Sequence, residues 1–327
     1  MLVPAAVHAL TPINGHYVSQ MGSVNKANNI FHALATTAPG SAVWLGGKFN
    51  PALTASDTHA NSKIIIARLD MVAKINDWSF GQLSWNASAN KVVTSFIGLG
   101  NLNTSPWYVV AGKSFLDFGD FHKYDDPIYP LTKTVFRVNG TNLDLGFDQG
   151  PVNASLYTYS AVTGQAAGGV QWRYRFTQHR WHVLLAAAYL ADIRNLTAPL
   201  KHLDVHHTVP ASDLYLTVKH GPWQGYAEWV QTYATAQTHA RLAGWDGSGD
   251  YRFHYAGKAW GLSLGYSQIV NGQHVFPSSE NIPWQQWLLG ETWYVQKGLE
   301  FGITENLNTT YQHRQTWQVL VSSTVFF

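Results

Sequence analysis

Only 12% of the 327 residues are Asp, Glu, Lys or Arg, whereas 14% are aromatic, so the chain carries about half the charge of an ordinary soluble domain, which is roughly 25% charged. With a mean hydropathy of −0.13 it is neither an apolar helical membrane protein nor a charged disordered chain, and no run approaches the roughly 18–20 apolar residues of a membrane helix. A transmembrane β-barrel reconciles the two figures, because each strand buries one face in lipid and wets the other. The net charge of +2 without a basic run argues against a nucleic-acid partner. Cysteine is absent, which excludes disulfides, thiolate metal sites and Cys nucleophiles and suits export through an oxidising periplasm.

In chain order, the first nine residues end in small residues of the A-x-A kind and read as the tail of a removed secretory leader. Residues 10–40 are polar, with a weak helical patch around Val24 to Leu34. They are expected outside the barrel wall or tucked into its mouth, giving two units, 1–40 and the barrel 41–327. From residue 41 onward, short period-two segments alternate with turn residues. Between Ile65 and Ile75 the odd positions are apolar, while Arg68, Asp70 and Lys74 fall on the even face, which strict alternation directs into the barrel. The same logic sends Asp144 and Asp148 inward from the segment at 142–148, Arg173 and Arg175 from 172–176, and Asp213 and Lys219 from 213–219. Arg252 and His254 follow from 251–255. The phase is ambiguous near Lys113, Arg137 and Glu291.

Sixteen segments begin near 42, 63, 78, 91, 105, 136, 151, 166, 180, 211, 222, 243, 258, 284, 298 and 315. The expected fold class is therefore all-β: a transmembrane antiparallel β-barrel of about sixteen strands with an aqueous lumen. The last segment alternates Trp317, Val319, Val321, Val325 and Phe327 against polar residues. Its terminal aromatic is similar to the assembly signal of outer-membrane barrels, which implies recognition by the barrel-assembly machinery. The expected location is the outer membrane of a Gram-negative bacterium, among lipid and lipopolysaccharide.

Three connections are long. The segment 115–133 is rich in aromatics, Asp and Pro. It is expected to fold inward as a constriction loop through Phe118, Phe121, Tyr124, Asp125, Asp126 and Tyr129, with Asp117 and Asp120 shaping the loop. The others run from Arg194 to Pro210 and from Asn271 to Pro283. His202, His206 and His207 have the spacing of a metal or carboxylate site on a helix, but they read better as an external polar loop, and neither a metal nor a cofactor is expected.

The stretch Pro106-Trp107-Tyr108 through Gly112-Lys113, Phe115, Phe118-Gly119 and Phe121, followed by Asp126-Pro127 and Pro130-Leu131-Thr132, resembles the LbtU-type siderophore porins of Legionella and related bacteria. So does 257–267. The resemblance implies a sixteen-stranded barrel importing a ferric siderophore without a plug domain; the N-terminal coiled coil common in that family has no counterpart here. Independently of the resemblance, the inward set Arg68, Lys74, Arg173, Arg175, Lys219 and Arg252, with Asp70 and Asp144 beside it, is expected to form a mixed wall with a cationic excess. Such a wall would orient an anionic solute through bidentate arginine contacts. The competing readings are a general porin without a cognate ligand, an outer-membrane enzyme, and a structural barrel. No Ser–His or Asp–His spacing marks a catalytic set, so no enzymatic activity is expected.

Overall fold

The computed structural model describes residues 6–9, 27–57, 59–120, 129–162, 165–197, 199–202, 207–233, 241–276 and 282–327. A short strand β1 (Ala6–Ala9) and a helix α1 (Ala27–Ala35) precede the barrel. The wall then runs β2 (Ala42–Ser56), β3 (Ala60–Asn76), β4 (Ser79–Asn86), β5 (Lys91–Gly100) and β6 (Trp107–Phe115). After a second helix, α2 (Leu131–Phe136), come β7 (Asn139–Gln149), β8 (Val152–Val162), β9 (Gln165–Gln178), β10 (Trp181–Leu190) and β11 (Ala211–His220). The wall ends with β12 (Trp223–Thr232), β13 (Ala243–Tyr255), β14 (Lys258–Val270), β15 (Gln285–Gln296), β16 (Leu299–Thr309) and β17 (Gln315–Phe326). Among the described residues, these sixteen strands pair antiparallel with their sequence neighbours, and β17 closes the barrel on β2 from Gln318 opposite Ser56 to Phe326 opposite Lys48. β1 runs parallel to β2 alongside Ala42–Leu45, below the point where β17 ends.

Alternation explains the wall. Leu69, Ile97, Leu143, Leu145, Leu156, Leu214 and Leu264 are outward and about half exposed, whereas Arg68, Asp70, Asp144, Arg173 and Asp213 are inward and buried. Aromatic girdles bracket this apolar belt. Trp223 and Tyr251 pack at 4.3 Å near the short turns, and Tyr266 and Trp287 at 4.5 Å toward the long loops. The short turns use the left-handed backbone that tight hairpins demand, with Ala256 at φ 50° and Gly257 at φ 73° between β13 and β14.

One part of the expected alternation fails. Pro51 has no N–H to give the ladder, and the β2–β3 register shifts between Asn50 and Pro51. Ile65 is left unpaired there, so Ile64 rather than Ile65 faces outward, at 52% exposed.

The interior is occupied at both mouths. At the short-turn end, α1 buries Ile30, Phe31, Ala33 and Leu34 against Trp44, Val72, Phe80, Phe96, Tyr108 and Val110. Phe31 lies 4.8 Å from both Phe80 and Tyr108. Of the helical patch expected around Val24 to Leu34, residues 24–26 lie outside the described residues, and the rest falls within α1. At the long-loop end, α2 and residues 116–120 fold inward. Leu116, Phe118, Leu131, Val135 and Phe136 join Ile193, Leu200, Val209, Val275 and Phe276 from the other long loops in one apolar cluster against the inner faces of β8, β10–β12 and β14. Gly244 makes room for this packing, since a Cβ there would press on Phe136, Ile269 and Thr132.

Candidate functional site: the lumen and its constriction

The inward-folding segment is fastened by hydrogen bonds to opposite sides of the wall. On β8, Ser155 Oγ donates to the Asp117 carboxylate and Tyr157 Oη donates to the Asp117 carbonyl, both at 2.9 Å. Across the lumen the Asp120 N–H donates to Glu228 on β12 at 3.0 Å, and the Leu131 N–H donates to Ser267 Oγ on β14 at 3.0 Å. Asp117 and Asp120 therefore act as loop fasteners, as their sequence context suggested. Phe118 is buried in the apolar cluster. Tyr129 is half-buried, with the Lys133 ammonium 4.0 Å from its ring centre. Phe121, Tyr124, Asp125 and Asp126 lie outside the described residues, as does His206; His207 is exposed.

Each expected lumen charge can be placed. Arg68 is paired with Asp70 at 2.9 Å, and Asp70 also accepts a short hydrogen bond from Ser84. The Lys74 ammonium donates to Asp77 at 2.8 Å, to the Ala38 carbonyl at 2.9 Å and to Thr37 at 3.1 Å, tying the chain after α1 to the wall. Arg173 sits 3.6 Å from Asp117 and donates to Asn153 at 3.4 Å, while its Nε lacks a hydrogen-bond partner. Arg175 contacts both oxygens of Asp148 at 3.3 and 3.4 Å, and His32 of α1 reaches the same carboxylate at 3.2 Å. Asp144 is buried. Lys219 and Arg252 have inward parity but are exposed near the short turns, Arg252 lying 5.4 Å from the Tyr294 ring centre. The three ambiguous positions also resolve. Lys113 and Glu291 face outward, and Arg137 leaves the wall to stack 3.7 Å from the centre of the Phe115 ring.

The charge balance differs from the expected cationic excess. Among the described residues, the fully buried cations are Lys48, Arg68, Lys74, Lys133, Arg173 and Arg194, whereas the buried anions are Asp70, Asp117, Asp144, Asp148, Asp192, Asp213, Glu228 and Asp246. Glu228 and Asp246 face each other across β12 and β13 in segments rich in Gly and Trp, where no clean alternation announces them. Asp192 and Arg194 form a bidentate pair at 2.8–3.1 Å that staples the loop after β10. Thus arginine pairs with carboxylate along much of the lumen, and a strip of amides and hydroxyls (Asn50, Gln82, Thr94, Gln171, Asn306) lines the remainder. Both polar atoms of Gln171, two residues from Arg173 on the same face, lack hydrogen-bond partners.

No family model matches the chain. A UPF0422 protein of Coxiella burnetii is 22% identical over 246 residues, which make up 65% of this chain and 52% of that protein; the chain spans about half the length of this relative. Solved structures with the same architecture include OmpF of Salmonella typhi in complex with daunomycin (TM-score 0.65, 14% identity, covering 88% of this chain and 98% of that one). The trimer form of OmpT of Vibrio cholerae has a TM-score of 0.61 at 8% identity, with 88% of this chain and 100% of that one covered. OprB of Pseudomonas putida gives 0.61 at 8%, covering 88% and 94%. At such identities the likeness shows the fold: a porin-like barrel of the Gram-negative outer membrane, as the strand pattern indicated. The siderophore-porin family suggested by the 105–132 stretch is not among these matches.

Proposed function

We propose that this chain is a passive, non-enzymatic outer-membrane channel for a ferric polycarboxylate siderophore or a similar small anionic solute. Arg173 carries the reading. Its guanidinium is buried at the constriction, holds Asp117 at 3.6 Å rather than in close contact, and keeps Nε unpaired beside the unpaired Gln171 amide. A solute carboxylate can exchange with Asp117 on this fork, taking a bidentate bond while loosening the loop that Asp117 fastens. Binding of this kind is weak enough for passage, because the solute competes with an internal carboxylate at every step. A general porin without a cognate ligand is the second reading, supported by the extent of charge pairing in the lumen.

Conductance of the refolded protein in a planar bilayer, titrated with a ferric polycarboxylate siderophore and its iron-free form, separates the readings. Saturable block by the ferric form, weakened about tenfold or more in Arg173→Ala (the effect of one lost charged contact), supports the proposal. Open current indifferent to either form leaves a general porin, and absence of current shows that the inward loop or α1 seals the lumen.

A further inference from the structure

A cleft at the short-turn mouth lies apart from the constriction. On one side it is bounded by α1 and the chain that leaves it, and on the other by the β3–β4 turn and the β5–β6 loop; it encloses about 250 Å³. Pockets for drug-sized ligands run to roughly 300–1,000 Å³, so this one admits a single small ring. One wall is apolar, made by Phe31 and Leu34 of α1, Phe80 of β4 and Leu102. Phe31, Leu34 and Phe80 are buried, whereas Asn76, Asp77 and Asn103 on the rim are exposed to solvent at the short-turn end.

The ions at the edge of the cleft are spent on each other. Lys74 donates to Asp77, the Ala38 carbonyl and Thr37 at 2.8–3.1 Å, and the Gly40 N–H donates to the Asp77 carboxylate. What remains for a ligand is uncharged. Asn76 and Asn101 each use the side-chain carbonyl to close their own turn, accepting from the Trp78 N–H at 2.8 Å and the Asn103 N–H at 3.0 Å, and both keep the amide NH2 as a donor. Asn103 gives its NH2 to the Ala35 carbonyl at 2.8 Å and keeps Oδ1 as an acceptor. The Ser79 hydroxyl, also in the lining, both donates and accepts. Donors, an acceptor and a hydroxyl around an apolar wall match a ring with hydroxyls on its edge and C–H bonds on its face. The hydroxyls pair with amides in either sense, and the C–H face displaces water from Phe31 and Phe80. The cleft is also tied to the position of the helix. One side of it is α1 with Thr37 and Pro39, so it exists only while α1 is docked. A ligand that binds one of two states shifts the population toward that state by a factor of 1 + [L]/Kd.

We propose that this cleft binds a small neutral sugar, and that its occupation clamps α1 in the short-turn mouth. Which solute the lumen passes does not bear on this site. The refolded full-length protein carrying Ala33→Cys tests it, because Ala33 is buried with the docked helix and lies outside the cleft. The rate of modification by a thiol reagent is followed against millimolar glucose and N-acetylglucosamine, with acyclic sorbitol as the control. The expected result is a saturable fall with at least one of the two sugars, about tenfold at ten times the half-effect concentration, and no effect of sorbitol. Asn101→Asp keeps the acceptor that closes the turn and removes the amide donor. It should raise the half-effect concentration about threefold to tenfold, the scale of one hydrogen bond. Gel mobility that shifts on heating certifies folding of each variant, and Ser79→Ala gives the second reading where Asn101→Asp fails to fold. A rate indifferent to both sugars overturns the proposal. So does a fall matched by sorbitol, which is the general effect of an excluded osmolyte, or protection that neither substitution weakens. The labelling is read without current, so failure of siderophore block and failure of this site are separate results.

Discussion

Phe31→Ala probes whether α1 is a separable stopper in the short-turn mouth. Phe31 is 4% exposed, and it packs at 4.8 Å against both Phe80 and Tyr108. Truncating such a ring costs about 3–5 kcal/mol. A nine-residue helix has little stability of its own, and among the described residues this segment is also held by three neighbouring apolar side chains, Asn103 donating to the Ala35 carbonyl at 2.8 Å, His32 on Asp148, and Lys74 on Thr37 and Ala38. At about 1.4 kcal/mol per tenfold, the loss shifts the docked helix toward release by roughly a hundred- to a few-thousand-fold. The absence of cysteine makes the assay clean. Ala33→Cys is buried in the docked helix, so its rate of modification by a thiol reagent should rise about a hundredfold or more when Phe31→Ala is added, with higher channel conductance. Unchanged labelling would refute the stopper. So would labelling that rises only as the barrel loses its heat-shifted gel mobility, because the helix would then be part of the wall's own stability.

Gly244→Val should push α2 off the inner face of β13 and β14, costing about 1–3 kcal/mol as overpacking does; larger conductance with an intact barrel is the expected readout. Removing one member of the buried Arg173–Asp117 pair should destabilise the constriction more than removing both. A double-mutant cycle on loop proteolysis should give a coupling of about 0.5–3 kcal/mol, and additivity would remove the latch role. Tyr311, in the loop after β16, donates to the Ile269 carbonyl at 3.1 Å, and burial pushes its phenol up to about 12. Because the folded state holds this proton more tightly, its contribution to stability is complete below about pH 10 and declines as pH rises from there toward 12. Absorbance titration of Tyr311→Phe should show one fewer late-titrating phenol than the wild type.

Much of this architecture is legible in the sequence because the barrel wall is a local code. Side chains alternate with period two and turns announce themselves, so all sixteen expected strand starts fall within three residues of those observed. What escapes is set by contacts between distant segments. The α2 sequence Leu131–Phe136 has no amphipathic run long enough to read as a helix; it is stabilised by burial of five of its six residues. The fastening of Asp117 to Ser155, Tyr157 and Arg173 spans 38 to 56 positions and leaves no local trace. Glu228 and Asp246 escape because their outward neighbours are Ala227 and Trp229 in β12 and Trp245 and Gly247 in β13, so no run of aliphatic residues marks the alternation. A search for two acids brought opposite each other by the β12–β13 register is the signal that finds them.

The distribution of lumen cations constrains how an anion can cross. Arg68 and Arg173 are buried and paired, so they present little net field to a solute approaching through water, and one-sided loss of such a pair leaves an uncompensated charge. Arg175, Lys219 and Arg252 instead reach solvent on alternate strands β9, β11 and β13, all toward the short-turn end. That is the end where the strand termini and α1 sit, opposite the long loops. Solvated charges act at range but are screened within about 8–10 Å at physiological salt. On the function proposed above, the exit would attract an anion weakly, whereas the constriction would admit it through hydrogen-bond exchange on Arg173 and Gln171. Selectivity would then rest on shape and donor geometry at the inward loop rather than on the sign of the whole wall, and a neutral solute with the same carboxyl-like geometry is expected to compete with a charged one for block of the conductance.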